Sequence, residues 1–463
     1  MVSELIESAN HHKQDNCAVL SYFADDVKRI ALEILSGGEE RQEYQILNLA
    51  RRCHQQAIAD GGLLHCDRFF NHVRQEKISV PISTRSADPN IKYEATVNQG
   101  WINFWNEALC NCPAPVLFKP HASPLFSSRD FQLDKVPRYL FRTFDRKSFG
   151  RTDENIVASP ASEIRTVSSK FDIFSLDTDL AMSIVDRHMN PWRVKDYDKH
   201  APDNLMSWTS SLLYAVQYAL YRRHHYGCAS DEIKICVADT TKFDRGQFVH
   251  ARRLLQAYYD LVRQADMRQN FDTRLLVYIY QNGEYLSQGT LYHAGRSCVI
   301  SLAALEESGL YSLYPEFAVP HRQAKWAITT AHLRKLWTEQ HVSSTYRELE
   351  VALSLARTCF VGLNVLEIAI IFLSFKRRKL KRVRGEIPGG DENYLRSLEE
   401  HIPEWGRKPQ EVRQYLAALR VLRPNPRVLD DITEEIYPMI GSIAAETDGG
   451  LIQVLLKCFS ILL

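Results

Sequence analysis

The sequence predicts an α+β protein, with a mixed central region flanked by helical N- and C-terminal regions. Three observations carry this prediction. Residues 139–144, 234–238 and 274–280 are short runs rich in aromatic and branched side chains, the composition of strands. Residues 211–223 and 249–268, interleaved with them, carry apolar side chains at helical spacing. Outside about 131–320, helical spacing dominates.

In chain order, residues 1–76 read as a helical region. Val19, Tyr22, Phe23, Val27, Ile30 and Ile34 lie along one helical face, and Gly37-Gly38 stops it. Ile46, Leu47, Ala50 and Cys53 resume the pattern in a second helix. Residues 77–130 begin Ser-, Pro- and Thr-rich, as a linker does. They hold one short helix around Trp101, Phe104, Trp105 and Leu109, before Cys112-Pro-Ala-Pro115, Pro120 and Pro124 break the chain. A boundary near 130 opens the α+β domain, 131–320. From 321 to 463 the pattern is helical, interrupted at Pro388-Gly-Gly390, Pro403 and Pro424-Asn-Pro426.

A chain of 463 residues exceeds one ordinary core, so several domains are expected. Apolar residues make up 45 %, enough to fold rather than stay disordered. The net charge of +1 argues against a global field for nucleic acid or membrane. The basic run Lys376–Arg384, with seven cations in nine residues, reads as a solvated helix end or as an import or nucleic-acid patch. The ten cysteines are dispersed, unlike a disulfide framework, and the acidic N-terminus lacks the basic start of a signal peptide. These features place the protein in the cytoplasm or nucleus with its thiols reduced. The apolar run 359–375 is at the short limit for a bilayer and carries Asn364 and Glu367 mid-way, so a buried helix is expected and no membrane partner. The apolar tail 450–463 is too short to span.

Several chemistries lose their main support. There is no Gly-x-Gly-x-x-Gly, no phosphate-loop Gly-Lys-Ser/Thr and no Gly-x-Ser-x-Gly elbow. Cys110-Asn-Cys112 has no second ligand pair, and Cys53, His65, Cys66 and His72 are scattered, so no metal site is expected.

Three segments remain. In Tyr139-Leu-Phe-Arg-Thr-Phe-Asp145 a strand presents Arg142, whose planar fork of donors suits an anion. Ser207-Trp-Thr-Ser-Ser211 is a hydroxyl cluster between a strand end and a helix. Asn282-Gly-Glu-Tyr-Leu-Ser-Gln-Gly289 carries a lone carboxylate, Glu284, toward a turn glycine. A cation, a positioning hydroxyl and one carboxylate, in that order, suggest cleavage of a bond to a phosphorylated ribose.

The pattern Leu-aromatic-Arg, then Ser-Trp-Thr-Ser, then Asn-x-Glu resembles the arginine–serine–glutamate branch of the ADP-ribosyltransferases over about 136–300. Trp208 stands where that family has its first serine, and Asn282 where it has Glu or Gln. The segments also resemble stretches of fungal proteins, which adds no chemistry. The resemblance implies a split β-sandwich with NAD, as substrate, in its cleft and no metal. It assigns Arg142, Trp208, Thr209 and Ser210 to NAD binding. It assigns Glu284 and Asn282 to catalysis, with ADP-ribose passing to a protein or nucleic-acid acceptor. The alternatives are a catalytically inactive nucleotide- or protein-binding module on the same scaffold, and a helical interaction protein.

Overall fold

The computed structural model describes residues 18–36, 42–76, 89–112, 115–122, 125–126, 131, 133, 136–190, 203–277, 280, 282–318, 326–339, 342–376 and 378–380. These fall into two compact units, one within Met1–Val116 and Ala161–Phe171, the other within Leu117–Pro160 and Asp172–Leu463. The division falls at Val116/Leu117, where the sequence suggested a boundary near 130.

The first unit is built on α1 (Ala24–Ser36), α2 (Gln42–Ile58), α3 (Cys66–Gln75) and α4 (Pro89–Asn111). Helix α4 runs for 23 residues, in a stretch expected to hold a linker and a short helix. Its aromatic side chains explain the length. Val97, Trp101 and Trp105 recur every four residues and fill one core with Phe23, Ile30, Phe69 and Phe70. The Trp101 indole also donates to the Leu64 carbonyl, at 2.9 Å.

The second unit is an α+β fold. Its main sheet combines β1 (Tyr139–Phe144), β4 (Leu205–Thr209), β5 (Lys234–Asp239), β6 (Val249–His250), β7 (Glu284–Gln288) and β9 (Ser297–Ser301). The strand order is β6-β7-β4-β1-β5-β9. Every neighbouring pair is antiparallel. A second, three-stranded sheet joins β2 (Arg151–Thr152), β3 (Ile156–Ala158) and β8 (Thr290–Tyr292). Strand alternation sorts the main sheet's side chains. One face sends Leu140, Phe144, Met206, Trp208 and Tyr285 into a core shared with Val157 and Leu291 of the small sheet.

The other face carries two separate helical layers. Over β1, β5 and β9 lie α6 (Leu212–Tyr226), α9 (Leu302–Glu307), α11 (Tyr346–Cys359) and α12 (Val365–Leu373). Their side chains pack on Phe141, Ile235, Val237 and Ile300. Over β4, β6 and β7 lie α5 (Thr178–Met189), α7 (Ala251–Tyr259) and α8 (Ala265–Leu276), which cover Leu205, Val249 and Leu286. Thr143, Ser207, Thr209 and Glu284 are on this same face and belong to neither apolar core. A polar strip thus runs between two dry layers.

Some local expectations change. Arg274 and Leu275 end helix α8 rather than opening a strand. Met267, Phe271 and Leu275 recur at helical spacing and bury in one core, so the helical period wins over the branched composition. The stretch 249–268, expected as one helix, is β6, then α7, then the start of α8. The run 359–375 is not one helix. The first helix ends at Cys359, Gly362 takes φ +83° in the turn that follows, and Asn364 caps α12 through the amides of Leu366 and Glu367. Among the described residues no helix is long and apolar enough to cross a membrane. The region from 326 to 376, expected to stand apart, belongs to the second unit. Its helix α10 (Trp326–Glu339) contributes Leu333 and Trp337 to the core on β1 and β5. The eight described cysteines are free. Most of the basic run, with the C-terminal breaks and the apolar tail, lies outside the described residues.

One ion pair makes acid sensitivity predictable. Arg222 of α6 donates twice to Asp145, at the turn after β1. Burial alone raises a carboxyl's pKa, but the bonds from Arg222 and the Lys147 amide outweigh it and hold Asp145 below its usual range. A depressed value means that its contribution is full above the unfolded pKa, about 3.9, and fades as pH falls through the folded value. Asp145→Asn is expected to cost about 1.5–3 kcal/mol at neutral pH. Urea titrations at neutral and acid pH should show the gap from wild type closing below about pH 4; a constant gap would refute this account.

Candidate functional site

The end of β4 and the start of β7 are held together by side chains that the sequence supplies at the right places. Thr209 Oγ1 donates to the Asn282 carbonyl at 2.6 Å, and the Ser210 amide donates to the Gly283 carbonyl at 2.8 Å. Gly283 takes φ +61°, and a Cβ there would lie 2.0 Å from Ser210 Oγ, so any other residue would be strained and would displace the Ser210 hydroxyl. This clamp sets Glu284 directly opposite Thr209 in the ladder. Residues two apart on a strand share a face, so Ser207 stands beside Glu284. Ser207 Oγ lies 2.8 Å from Glu284 Oε1.

Arg142 reaches the same serine from the other side. Strands β1 and β5 pair over six residues, whereas β1 and β4 pair at Phe141↔Thr209 alone. Past that pair the two strands part, and the Arg142 guanidinium fills the split. Alternation directs its Cβ to the small-sheet face, opposite that of Glu284. From that side Nη1 donates to the Ser207 carbonyl at 2.9 Å, while Nε donates to Thr152 Oγ1 at 3.2 Å. All its acceptors are neutral oxygens, the third being the Phe149 carbonyl at 3.5 Å. Among the described residues no carboxylate pairs with it. Burial pushes Arg142 down to about 10, which leaves it charged at neutral pH.

Four further residues, none of them among the expected site residues, complete the site. His188, near the C-terminus of α5, places Nε2 2.8 Å from Ser207 Oγ and Nδ1 3.0 Å from Asp203. Asp203 also accepts from the Leu205 amide at 2.8 Å. Burial raises its pKa, but the His188 charge and bond outweigh that and hold the carboxyl below its usual range. Arg274 of α8 donates to the Met189 carbonyl and stands 3.9 Å from Glu284 Oε2. Tyr214 of α6 is pushed up, first by burial and then by the Glu284 charge, so its phenol keeps its proton. Asp203 and His188 are single residues in a loop and on a helix end, with no motif spacing to mark them. Arg274 was concealed by reading its segment as a strand.

The expected residues divide accordingly. Arg142 and Glu284 converge on one residue, but it is Ser207 and not Thr209 or Ser210. The Thr209 hydroxyl is committed to the Asn282 carbonyl. Ser210 is half-buried against Gly283. Trp208 is buried between the two sheets and donates to Ser287 Oγ at 2.9 Å, so it has no open ring face to offer a nucleotide. Asn282 is buried too, with its Oδ1 accepting from Arg334 of α10 at 2.9 Å. Trp208, Thr209 and Asn282 are therefore frame around the site. Among the described residues no group of three or more His, Cys, Asp or Glu side chains is placed to hold a metal ion.

Residues 135–291 match a protein family described as a domain of unknown function (DUF7587). No curated protein and no solved structure matches the chain. The matched stretch runs from just before β1 into β8 and includes Arg142, His188, Asp203, Ser207, Arg274 and Glu284.

Proposed function

We propose that this site binds NAD, cleaves its nicotinamide–ribose bond and passes ADP-ribose to a macromolecule, on a split sandwich of ADP-ribosyltransferase type. One observation carries the reading. Ser207 joins a half-buried guanidinium that has no carboxylate partner among the described residues to the Glu284 carboxylate, through its carbonyl and its hydroxyl.

Arg142 suits a phosphate because its charge is retained and its present acceptors are neutral. A single carboxylate suits this particular bond. Glycosidases with poor leaving groups need a second carboxyl to donate a proton. Nicotinamide leaves from a pyridinium, so the bonding pair returns to a ring nitrogen that is already cationic and no proton is needed. Positive charge passes to the ribose C1′ and ring oxygen. Glu284, fixed by Ser207, stabilises that charge more in the transition state than in the ground state. A nucleophile of the acceptor, or water, then attacks C1′ and releases its proton to solvent.

The test is nicotinamide release by the full chain incubated with NAD, together with calorimetric titration of NAD. Arg142→Ala is expected to raise the dissociation constant about ten- to a hundredfold, the worth of a charged hydrogen bond, and to change KM more than kcat. NAD binding without release would make the domain an inactive nucleotide-binding module. No binding at all would dispose of both.

A further inference from the structure

The hydrogen bonds around Ser207 contain a proton count that fixes their direction. The chain of contacts runs Asp203, His188 Nδ1, His188 Nε2, Ser207 Oγ, Glu284, at 3.0, 2.8 and 2.8 Å. Three bonds require three protons. A serine hydroxyl brings one, and a neutral imidazole brings one more. With a carboxylate at each end, all three bonds are filled only when the imidazole carries a proton on both nitrogens. Ser207 then accepts from Nε2–H and donates to Glu284. With a neutral imidazole protonated on Nδ1, Nε2 and Glu284 compete for the single Ser207 proton, and one of the two bonds is left unfilled.

We infer that His188 and Asp203 are positioning residues, which hold the Ser207 hydroxyl proton on Glu284 when His188 is an imidazolium. This rests on the proposed role of Glu284. The carboxylates at the two ends of the chain favour the imidazolium, and the neighbouring arginines oppose it while stabilising the carboxylates. Asp203 faces the imidazole and is itself held in the carboxylate form. Arg187 acts on Asp203 from α5, and Arg142 acts on it from β1. Arg274 from α8 and Tyr214 from α6 face Glu284. Asp186, also on α5, is committed to Asn190 and Asn270. The same three residues read in reverse, with Ser207 donating to a neutral His188, form the Asp–His–Ser arrangement of a serine nucleophile. The Glu284 carboxylate 2.8 Å from Ser207 Oγ disfavours that arrangement, because it competes for the only hydroxyl proton.

The decisive measurement does not need NAD. Nitrogen NMR of histidine-labelled full-length protein, with His188 assigned by loss of its signals in His188→Gln, should show both ring nitrogens protonated near neutral pH. Asp203→Asn should reduce that population. A His188 with bare Nε2 at that pH overturns the inference. So does labelling of Ser207 by a phosphonofluoridate probe, which would reveal a nucleophile. If nicotinamide is released, wild-type rate should fall as pH rises and the imidazolium is lost. His188→Gln, whose amide can donate to Ser207 but does not titrate, should keep a rate within about tenfold of wild type and lose that alkaline decline. An unchanged decline in His188→Gln also overturns it. Protonated His188 nitrogens with no nicotinamide release would support the relay and defeat the NAD reading alone.

Discussion

Glu284→Gln is expected to lower nicotinamide release by about 10²–10³-fold, the cost of removing one charge-stabilising group from a transition state. NAD affinity should change only a few-fold. The substitution is close to isosteric, and the Gln carbonyl still accepts from Ser207, so the geometry at the head of β7 survives. What disappears is the negative charge facing the ribose as the bond to nicotinamide opens. The loss should fall on kcat and kcat/KM together, because the interaction is made in the transition state and not on binding. Glu284 is partly solvent-exposed at the strand's first residue, so its replacement should hardly alter stability. That separates it from Arg142, whose loss should appear in binding. Turnover within threefold of wild type would remove Glu284 from the chemistry and with it the proposed reaction.

The α+β composition of the second unit was legible, because β1, β5 and the helix α6 have strong local patterns. Tyr139–Phe144 is a short run rich in aromatic side chains, buried except at Arg142 and Thr143, and Ser211 caps α6 by accepting from the Tyr214 amide, as a serine before an apolar face should. Arg142 and Glu284 were singled out because each stands alone as a charge at a strand position, and the structure brings both against Ser207. Thr209 and Ser210 were preferred to Ser207 because sequence order does not show register. Pairing of Thr209 with Glu284 turns both side chains to the same face, and Ser207, two residues earlier on that face, then reaches the carboxylate. His188 and Asp203 were illegible for a related reason. Their significance lies in contacts across a loop and a helix end, and neither residue has unusual spacing. The split between β1 and β4 was likewise invisible. It depends on where pairing stops, and no breaker residue marks that point.

Glu367→Ala is expected to cost about 3–5 kcal/mol, the range for removing one member of a buried ion pair. Glu367 is fully buried in α12. Its Oε1 accepts from Arg138 Nη1 at 2.8 Å and its Oε2 from the Tyr139 hydroxyl at 2.6 Å. Burial, then the Glu367 charge, pushes the Tyr139 phenol up, so that it remains a donor. Both partners sit at the head of β1, three and four residues before Arg142. Alanine would leave a buried phenol without this acceptor and empty the space around it. Arg138 retains Asp239 at 3.5 Å, which places the cost toward the lower end of the range. Glu367→Gln should cost less, because its carbonyl can still accept from Tyr139 while the charge attraction to Arg138 is lost. Urea titration of the two variants gives the ranking directly, with unfolding followed by a signal from the second unit. The physical point concerns where the domain ends. The matched family segment stops at 291, yet β9 completes the edge of β5, and α12 fixes the head of the strand that carries Arg142. If Glu367→Ala costs less than about 1 kcal/mol, as an ordinary surface change does, then α12 is an appendage and not part of the core that holds the site.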